Sequence, residues 1–202
     1  MKKYGNTWAL VLAGGEGNRL RSLTTTSQGT AIPKQFCSLR GGPSLLQEAL
    51  QRAQVIAPRE HICAVVAAQH RRWWESPLSS LPASNVFVQP DNRGTANGIL
   101  LPLVHILERD AEARIVLIPS DHYVREEHVL AQSLRTAIDR LESRCCEVLL
   151  LGLEPDDADT ELGYIVPGTS AGRGAFQVAQ FVEKPNDVFA RQLVALGAFW
   201  NV

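Results

Sequence analysis

Residues Trp8 to Ala13 form an unbroken apolar run, and the run empties directly into Gly14-Gly15-Glu16-Gly17. No feature restricts the fold more. A strand without a polar face must be buried on both sides, which is the position of a strand inside a parallel sheet flanked by helices. The pattern recurs: Ile62–Ala67, Asn85–Val88, Ile115–Pro119 and Val148–Leu153 read as further strands. Between them, Ser44-Leu45-Leu46-Gln47 has the form of a capping box and opens a helix to about Ile56, ahead of Pro58. From Glu126 to about Ser143, Leu130, Leu134, Ala137, Ile138 and Leu141 share one helical face, and Glu126 and Glu127 suit the positive end of the helix dipole. Ala96–Leu107 is apolar nearly all round with Pro102 inside, which predicts a buried and bent helix. Strand and helix in alternation give an α/β fold with a mostly parallel central sheet.

After Leu153 the pattern changes. Asp156, Asp157 and Asp159 make a solvated loop, and short strands at Gly163–Val166 and Gln177–Phe181 flank Gly168–Gly174. A helix around Val188–Leu196 ends at Gly197, and Phe199-Trp200-Asn201-Val202 reads as the start of one more strand.

Composition excludes several classes. With 45% hydrophobic and 20% charged residues over 202 positions, the chain can bury a real core and is not disordered. A net charge of −1 argues against a nucleic-acid partner. The cluster His70-Arg71-Arg72-Trp73-Trp74 mixes cations and aromatics as single-strand binders do, but it stands alone. No run of 18 apolar residues exists, so no membrane partner is expected. Lys2 and Lys3 precede an apolar stretch too short for a signal peptide. Cys37, Cys63, Cys145 and Cys146 match neither a disulfide framework nor zinc-ligand spacing, and a reduced, cytoplasmic setting is the simplest reading.

The chemistry begins at the glycines. They let main-chain N–H groups approach a ligand with no Cβ in the way, and a row of such groups suits phosphate oxygens. Arg19 and Lys34 supply cations, one a planar fork and the other a point charge. The loop is neither a Walker A loop, since no Lys-Ser/Thr follows, nor a dinucleotide fingerprint, since Leu20 stands where the third glycine belongs. A tight turn with no ligand is the plain alternative. Asp121, just after a strand, is placed to hold Mg²⁺, which takes one or two carboxylates plus phosphate and water oxygens; the alternative is a turn or N-cap aspartate. His122 is a candidate base, but phosphate-oxygen nucleophiles are already ionised near neutrality, which favours a structural role. Glu183 can accept from sugar hydroxyls and Lys184 can bind a phosphate, or the two form an ordinary solvated pair. Gln89 and Asn92-Arg93-Gly94-Thr95-Ala96 offer amide, hydroxyl and backbone groups to a base edge, or form a loop ending in a Thr cap. Ligands of parallel sheets gather beyond the carboxyl ends of the strands, so the glycine loop, Gln89-Pro90 and Ser120-Asp121-His122 are expected at one edge.

These blocks, with Leu12-Ala13-Gly14-Gly15-Glu16-Gly17-Asn18-Arg19-Leu20, Pro33-Lys34-Gln35-Phe36, Gly163-Tyr164-Ile165, Phe181-Val182-Glu183-Lys184-Pro185 and Trp200-Asn201, follow the order found in sugar-1-phosphate nucleotidyltransferases. The Lys-Gln-Phe and Ser-Asp-His variants most resemble bacterial mannose-1-phosphate guanylyltransferases, and the resemblance spans nearly the whole chain. It implies a Rossmann-like three-layer fold with a mostly parallel, mixed sheet, in one domain whose residues 1–153 serve the nucleotide and 154–202 begin the sugar-binding part. It implies transfer of a nucleotidyl group from a nucleoside triphosphate, GTP, to a sugar 1-phosphate, mannose 1-phosphate, with Mg²⁺ as cofactor and pyrophosphate as the second product.

Carried over by position, Arg19, Lys34 and Asp121 would be catalytic, and Asp121 the metal ligand. Leu12, Ala13, Gly14, Gly15, Gly17, Gln89, Gly94 and Thr95 would meet the nucleotide. Gly163, Glu183, Lys184 and Asn201 would meet the sugar phosphate. Two departures stand out. The Arg21–Ile32 linker is longer than usual and rich in hydroxyls, a flap over the triphosphate or a solvent loop. The family's core also continues past the Trp-Asn block to a second metal-binding aspartate, whereas this sequence stops at Val202, so an incomplete core is expected. That leaves two alternatives: a non-catalytic relative that binds nucleotide or sugar nucleotide, and an interaction subunit whose open sheet edge pairs with another chain, such as a second copy in a homo-oligomer.

Overall fold

Four strands, β1 (Thr7–Ala13), β2 (Ile62–Ala67), β3 (Val86–Gln89) and β4 (Arg114–Pro119), form a parallel sheet in the order β3-β2-β1-β4. The computed structural model in which they are seen describes residues 5–16, 23–25, 28–91, 94–143 and 146–201. The chain divides into two units, Met1–Cys145 and Cys146–Val202.

In the first unit the apolar runs set the order of burial. β2 is buried at every position and β1 at all but Leu12, because both lie in the interior of the sheet. β3 and β4 are only half-buried. Three helices connect the strands, α1 (Leu45–Ile56), α2 (Arg71–Leu78) and α3 (Thr95–Arg109), and α4 (Glu127–Glu142) follows β4. Ser44 starts α1 with the expected capping box: its side chain accepts from the Gln47 N–H, while the Gln47 side chain accepts from the Ser44 N–H. α1 packs on β1 and on α4, burying Leu45, Leu46, Ala49, Ala53 and Ile56 against a face that also takes Leu134 and Ile138 of α4. Trp8, Leu10, Cys63, Val65 and Ile106 form a second core cluster. There the Trp8 indole stacks on His61 at 4.2 Å between ring centroids and donates to Asp110 Oδ2 at 3.2 Å.

One expectation needs correcting here, and one isolated signal is accounted for. The apolar helix is present as α3, with Pro102 inside, but it is not buried all round. Gly98, Pro102 and Ile106 face inward, whereas Leu100, Leu101, Val104 and Leu107 are exposed. A helix lying on a sheet offers the sheet one stripe only, so an apolar outer stripe stays wet unless a further layer covers it. The aromatic-basic cluster also dissolves. Trp74 is buried and its indole N–H donates to the Ala67 carbonyl at 2.8 Å, and Arg71 pairs with Glu75 along α2. No helix among the described residues is long and apolar enough to cross a membrane.

The second unit holds β5 (Gly152–Leu153), β6 (Gly163–Gly172), β7 (Ala175–Glu183), α5 (Asp187–Ala195) and β8 (Phe199–Asn201), with the antiparallel order β5-β8-β6-β7. The Val148–Leu153 run shrinks to the two residues of β5, antiparallel to β8, and Val148 is 77% exposed. Apolar content alone did not give this stretch a neighbour to pair with. The hairpin of β6 and β7 runs well past its expected ends and turns at Gly172-Arg173-Gly174, all three at positive φ. Shifts of register near Pro167 and Ser170 carry the pairing through the glycine-rich stretch. Tyr164, Ala190, Leu193 and Ala198 make the core of this unit. Asn186 caps α5 by accepting the Phe189 N–H at 2.9 Å, and Gly197 follows the helix with φ of +77°, an αL position that glycine takes without strain.

Candidate active site

The parallel register brings the ends of β1, β3 and β4 to one edge of the first sheet, with Ala13 opposite Val66, Gln89 opposite Ala67 and Leu12 opposite Pro119. Among the described residues, Gly14, Gly15, Gln89, Ser120 and Asp121 follow or end these strands and so lie at that edge. The Leu12 carbonyl accepts both the Ser120 N–H at 3.1 Å and the Ser120 hydroxyl at 2.6 Å. These two hydrogen bonds tie the loop after β4 to the strand before the glycines. Asp121 comes next, and its Oδ2 accepts from Lys34 Nζ at 3.4 Å. Lys34 opens a single 3₁₀ turn, Lys34–Phe36, so the cation reaches the site from a rigid support.

The Lys34–Asp121 pair is long, with side chains 32% and 45% exposed. A pair of that kind contributes about 0–1 kcal/mol, so little opposes its separation when a ligand offers each partner something better. His122 Nε2 stands 3.6 Å from Asp121 Oδ1, outside hydrogen-bond range. Burial pushes the His122 imidazole below its ordinary value; Asp121 opposes the shift, and Lys34 and Arg52 add to it. The ring is therefore neutral at physiological pH, in keeping with a structural role.

Gln89 fills the space beside the glycines. A Cβ built on Gly14 would meet Gln89 Oε1 at 2.9 Å, and one on Gly98 would meet Gln89 Nε2 at 3.4 Å. The amide is thus held between the loop after β1 and the first turns of α3. Gly15 has open space around it. Gly94, at φ of +83°, is the N-cap of α3, and Thr95 is its first helical residue rather than the cap. Gly17 and Arg19 fall outside the described residues, as do Asn92 and Arg93. Of the long linker, Thr25 and Ala31 form an antiparallel bridge.

In the second unit, Gly163 pairs with Glu183 on one side and Asn201 on the other. A Cβ at Gly163 would meet Glu183 Oε2 at 2.8 Å and Phe181 Cζ at 3.1 Å, so the carboxylate lies across the glycine's face. A carboxylate, a bare backbone and an amide thus sit in one row across three strands. Lys184 follows Glu183 just beyond β7 with φ of +44°, and its N–H donates to the Leu162 carbonyl at 3.2 Å.

Three contributors were missed in the sequence. Gln35, buried to 3% exposure, donates from Nε2 to the carbonyls of Ala13 at 3.2 Å and Gly15 at 2.7 Å. Gln69 holds the Glu16 carboxylate at 2.7 Å. Arg52, also buried, binds both oxygens of Glu127 at 2.7–3.0 Å, approaches Glu48 at 3.4 Å and donates to the His122 carbonyl at 3.0 Å. It therefore steadies the loop that carries Asp121. A signal existed for Arg52: it is the one cation on the apolar stripe of α1, between Leu45, Ala49 and Ile56.

No cluster of three or more His, Cys, Asp or Glu suited to a metal occurs among the described residues. A lone carboxylate fits a hard cation that takes most of its oxygens from phosphate and water, and it does not fit zinc, which needs three or four protein ligands.

A parallel sheet of this order, with a glycine turn after its central strand, defines a Rossmann-like α/β protein. The family model for nucleotidyl transferases matches residues 8–201, and the chain belongs to that family. It is 32% identical to a mannose-1-phosphate guanylyltransferase of Escherichia coli K12 over 203 residues, which cover 96% of this chain and 41% of the relative. A mannose-1-phosphate guanylyltransferase of Salmonella muenchen is 30% identical over 197 residues, 95% of this chain and 40% of the relative. A crystal structure from Thermus thermophilus, named a mannose-1-phosphate geranyltransferase, superposes with a TM-score of 0.80 at 30% identity, covering 97% of this chain and 55% of that one. The chain thus spans about two fifths of the length of these curated relatives.

Proposed function

We propose that this chain transfers a nucleotidyl group from GTP to mannose 1-phosphate, giving a nucleotide sugar and pyrophosphate. The observation that carries the reading is the weak Lys34–Asp121 pair at 3.4 Å beside an open glycine turn at the edge of the sheet: one cation and one carboxylate, both easily released to a phosphate and its counter-ion. A phosphate oxygen of the sugar 1-phosphate attacks the α-phosphorus of the triphosphate, the bond to the β-phosphate oxygen breaks, and pyrophosphate leaves. One phosphoanhydride replaces another, so the reaction is reversible.

In this reading Gly14 and Gly15 cradle the triphosphate with Gly17. Lys34, with Arg19, offsets charge that builds in the transition state. Asp121 holds Mg²⁺, which neutralises charge at the reacting phosphate. Gln89, Gly94 and Thr95 lie by the base and ribose. Gly163, Glu183 and Asn201 receive the sugar hydroxyls, a reading supported by their alignment in one row, and Lys184, next to Glu183 in the chain, receives the phosphate. Guanylyltransferase relatives at about 30% identity support the choice of GTP and mannose.

The test is pyrophosphate release from GTP and mannose 1-phosphate, with and without Mg²⁺. Release is expected only with the metal, and Asp121→Asn is expected to slow it at least about tenfold, roughly 1.4 kcal/mol of barrier. Equal release by both proteins would remove Asp121 from its role; none from the wild type, with nucleotide still bound, would favour a non-catalytic binder. The exposed stripe Leu100, Leu101, Val104 and Leu107 favours a second reading, an interaction subunit. That reading requires a concentration-dependent oligomer by light scattering.

A further inference from the structure

We infer that Gln35 is the positioning residue of the phosphate turn, and that it selects the main-chain N–H groups of Gly14 and Glu16 as the anion donors. The inference rests on the proposed function and names the donors that function needs.

The geometry starts from one nitrogen. A carboxamide NH₂ has two hydrogens in a fixed plane, and Gln35 Nε2 lies within bonding distance of two carbonyl oxygens, Ala13 at 3.2 Å and Gly15 at 2.7 Å. Each carbonyl belongs to a planar trans peptide unit, in which the C=O and the following N–H point in opposite directions. Ala13 is still paired with Val66 in the sheet, and Gln35 adds a donor to its carbonyl, so the sheet and Gln35 together leave the Gly14 N–H pointing away from Gln35. Turning the Gly15 carbonyl does the same for the Glu16 N–H. Two donors two residues apart are directed away from a single amide, as an anion site requires.

The surroundings fit. Gln35 is 3% exposed and sits in the short turn Lys34–Phe36, between Pro33 and Cys37, so its side chain has no freedom to follow a moving loop. The Glu16 carboxylate would repel an anion at its own N–H, and Gln69 holds it at 2.7 Å. Lys34 is the neighbour of Gln35 in sequence. The residue that sets the donors is thus joined to the cation that pairs with Asp121.

Inorganic tripolyphosphate is the probe, because it tests the turn without base or sugar. In ¹⁵N-labelled wild-type protein, the Gly14 and Glu16 amide signals should shift more than any others in the turn. Gln35→Met keeps the side-chain length without the donor and should weaken tripolyphosphate binding about tenfold or more. Gln35→Glu puts a carboxylate against two carbonyls and should weaken it further. Relative to wild type at each pH, Gln35→Glu should recover part of the loss at low pH, where its protonated carboxyl can donate to one carbonyl; Gln35→Met should not. A lost volume or a loosened fold would not give that difference between the two variants.

Unchanged affinity in a folded Gln35→Met, or shifts centred away from Gly14 and Glu16, would overturn the inference while leaving GTP binding intact. Failure of the wild type to bind either tripolyphosphate or GTP would remove the functional reading and this inference with it. If Gln35→Met does not fold, the wild-type spectrum decides.

Discussion

Breaking the Arg52–Glu127 pair from its two sides should give unequal losses, in the order opposite to a count of hydrogen bonds. Arg52 makes the most bonds, to Glu127, Glu48 and the His122 carbonyl. Its side chain is only 5% exposed, whereas that of Glu127 is 48% exposed. In Arg52→Met the carboxylate left behind is rehydrated, and the loss is chiefly the bond to His122 and the link between α1 and α4, about 1–2 kcal/mol. In Glu127→Ala a guanidinium stays buried with Glu48 at 3.4 Å as its remaining carboxylate. Uncompensated buried charge costs roughly 3–5 kcal/mol, and the low end, about 3, applies because Glu48 remains. For a chain of this size that lowers the melting temperature by roughly 6–12 °C.

The assay is urea unfolding of wild type, both single variants and the double variant at neutral pH. The double variant should be more stable than Glu127→Ala alone, because removing the arginine removes the unpaired charge. A double variant less stable than Glu127→Ala, or an Arg52→Met that loses more than Glu127→Ala, would refute the reasoning from burial.

Three further outcomes are expected. Gly14→Ala drives a methyl to within 2.9 Å of Gln89 Oε1 and displaces that amide; titration calorimetry with GTP should show affinity reduced about tenfold or more with the melting temperature nearly unchanged. Gly163→Ala presses on Glu183 Oε2 at 2.8 Å and Phe181 at 3.1 Å, so steady-state kinetics should give a raised KM for the sugar phosphate and an unaltered KM for GTP. Burial lowers the pKa of both His70 and His122 from 6.5, so the unfolded state binds more protons below that value. Stability should hold above about pH 6.5 and fall as the pH drops further, and urea midpoints should flatten in a His70→Phe/His122→Gln variant.

The legible parts of this chain are those decided locally. Ser44 and Gln47 cap each other within four residues, so the start of α1 could be read from sequence. The runs at β1 and β2 carried their burial in their composition, and the position of Asp121 followed from the end of its strand. Gln35 was not legible, and Arg52 showed only as a cation on an apolar stripe, because their partners, Gly15 and Glu127 among them, are brought to them only by the fold. The turn at Gly172-Arg173-Gly174 is set by three positive φ values, but the glycine-rich stretch hid how far the flanking strands extend. Leu100 and Leu101 misled for another reason: side-chain composition says what a helix would bury and not whether anything arrives to cover it.

The sheet order carries a consequence for how the protein is made. Thr7–Ala13, made before either of its partners, becomes an interior strand whose neighbours are Ile62–Ala67 and Arg114–Pro119. It emerges from the ribosome long before its second neighbour exists. Until Pro119 is free, one edge of these seven nearly all-hydrocarbon residues waits unpaired, a target for a holdase chaperone. Slow, late closure is the expected kinetics for such distant pairings.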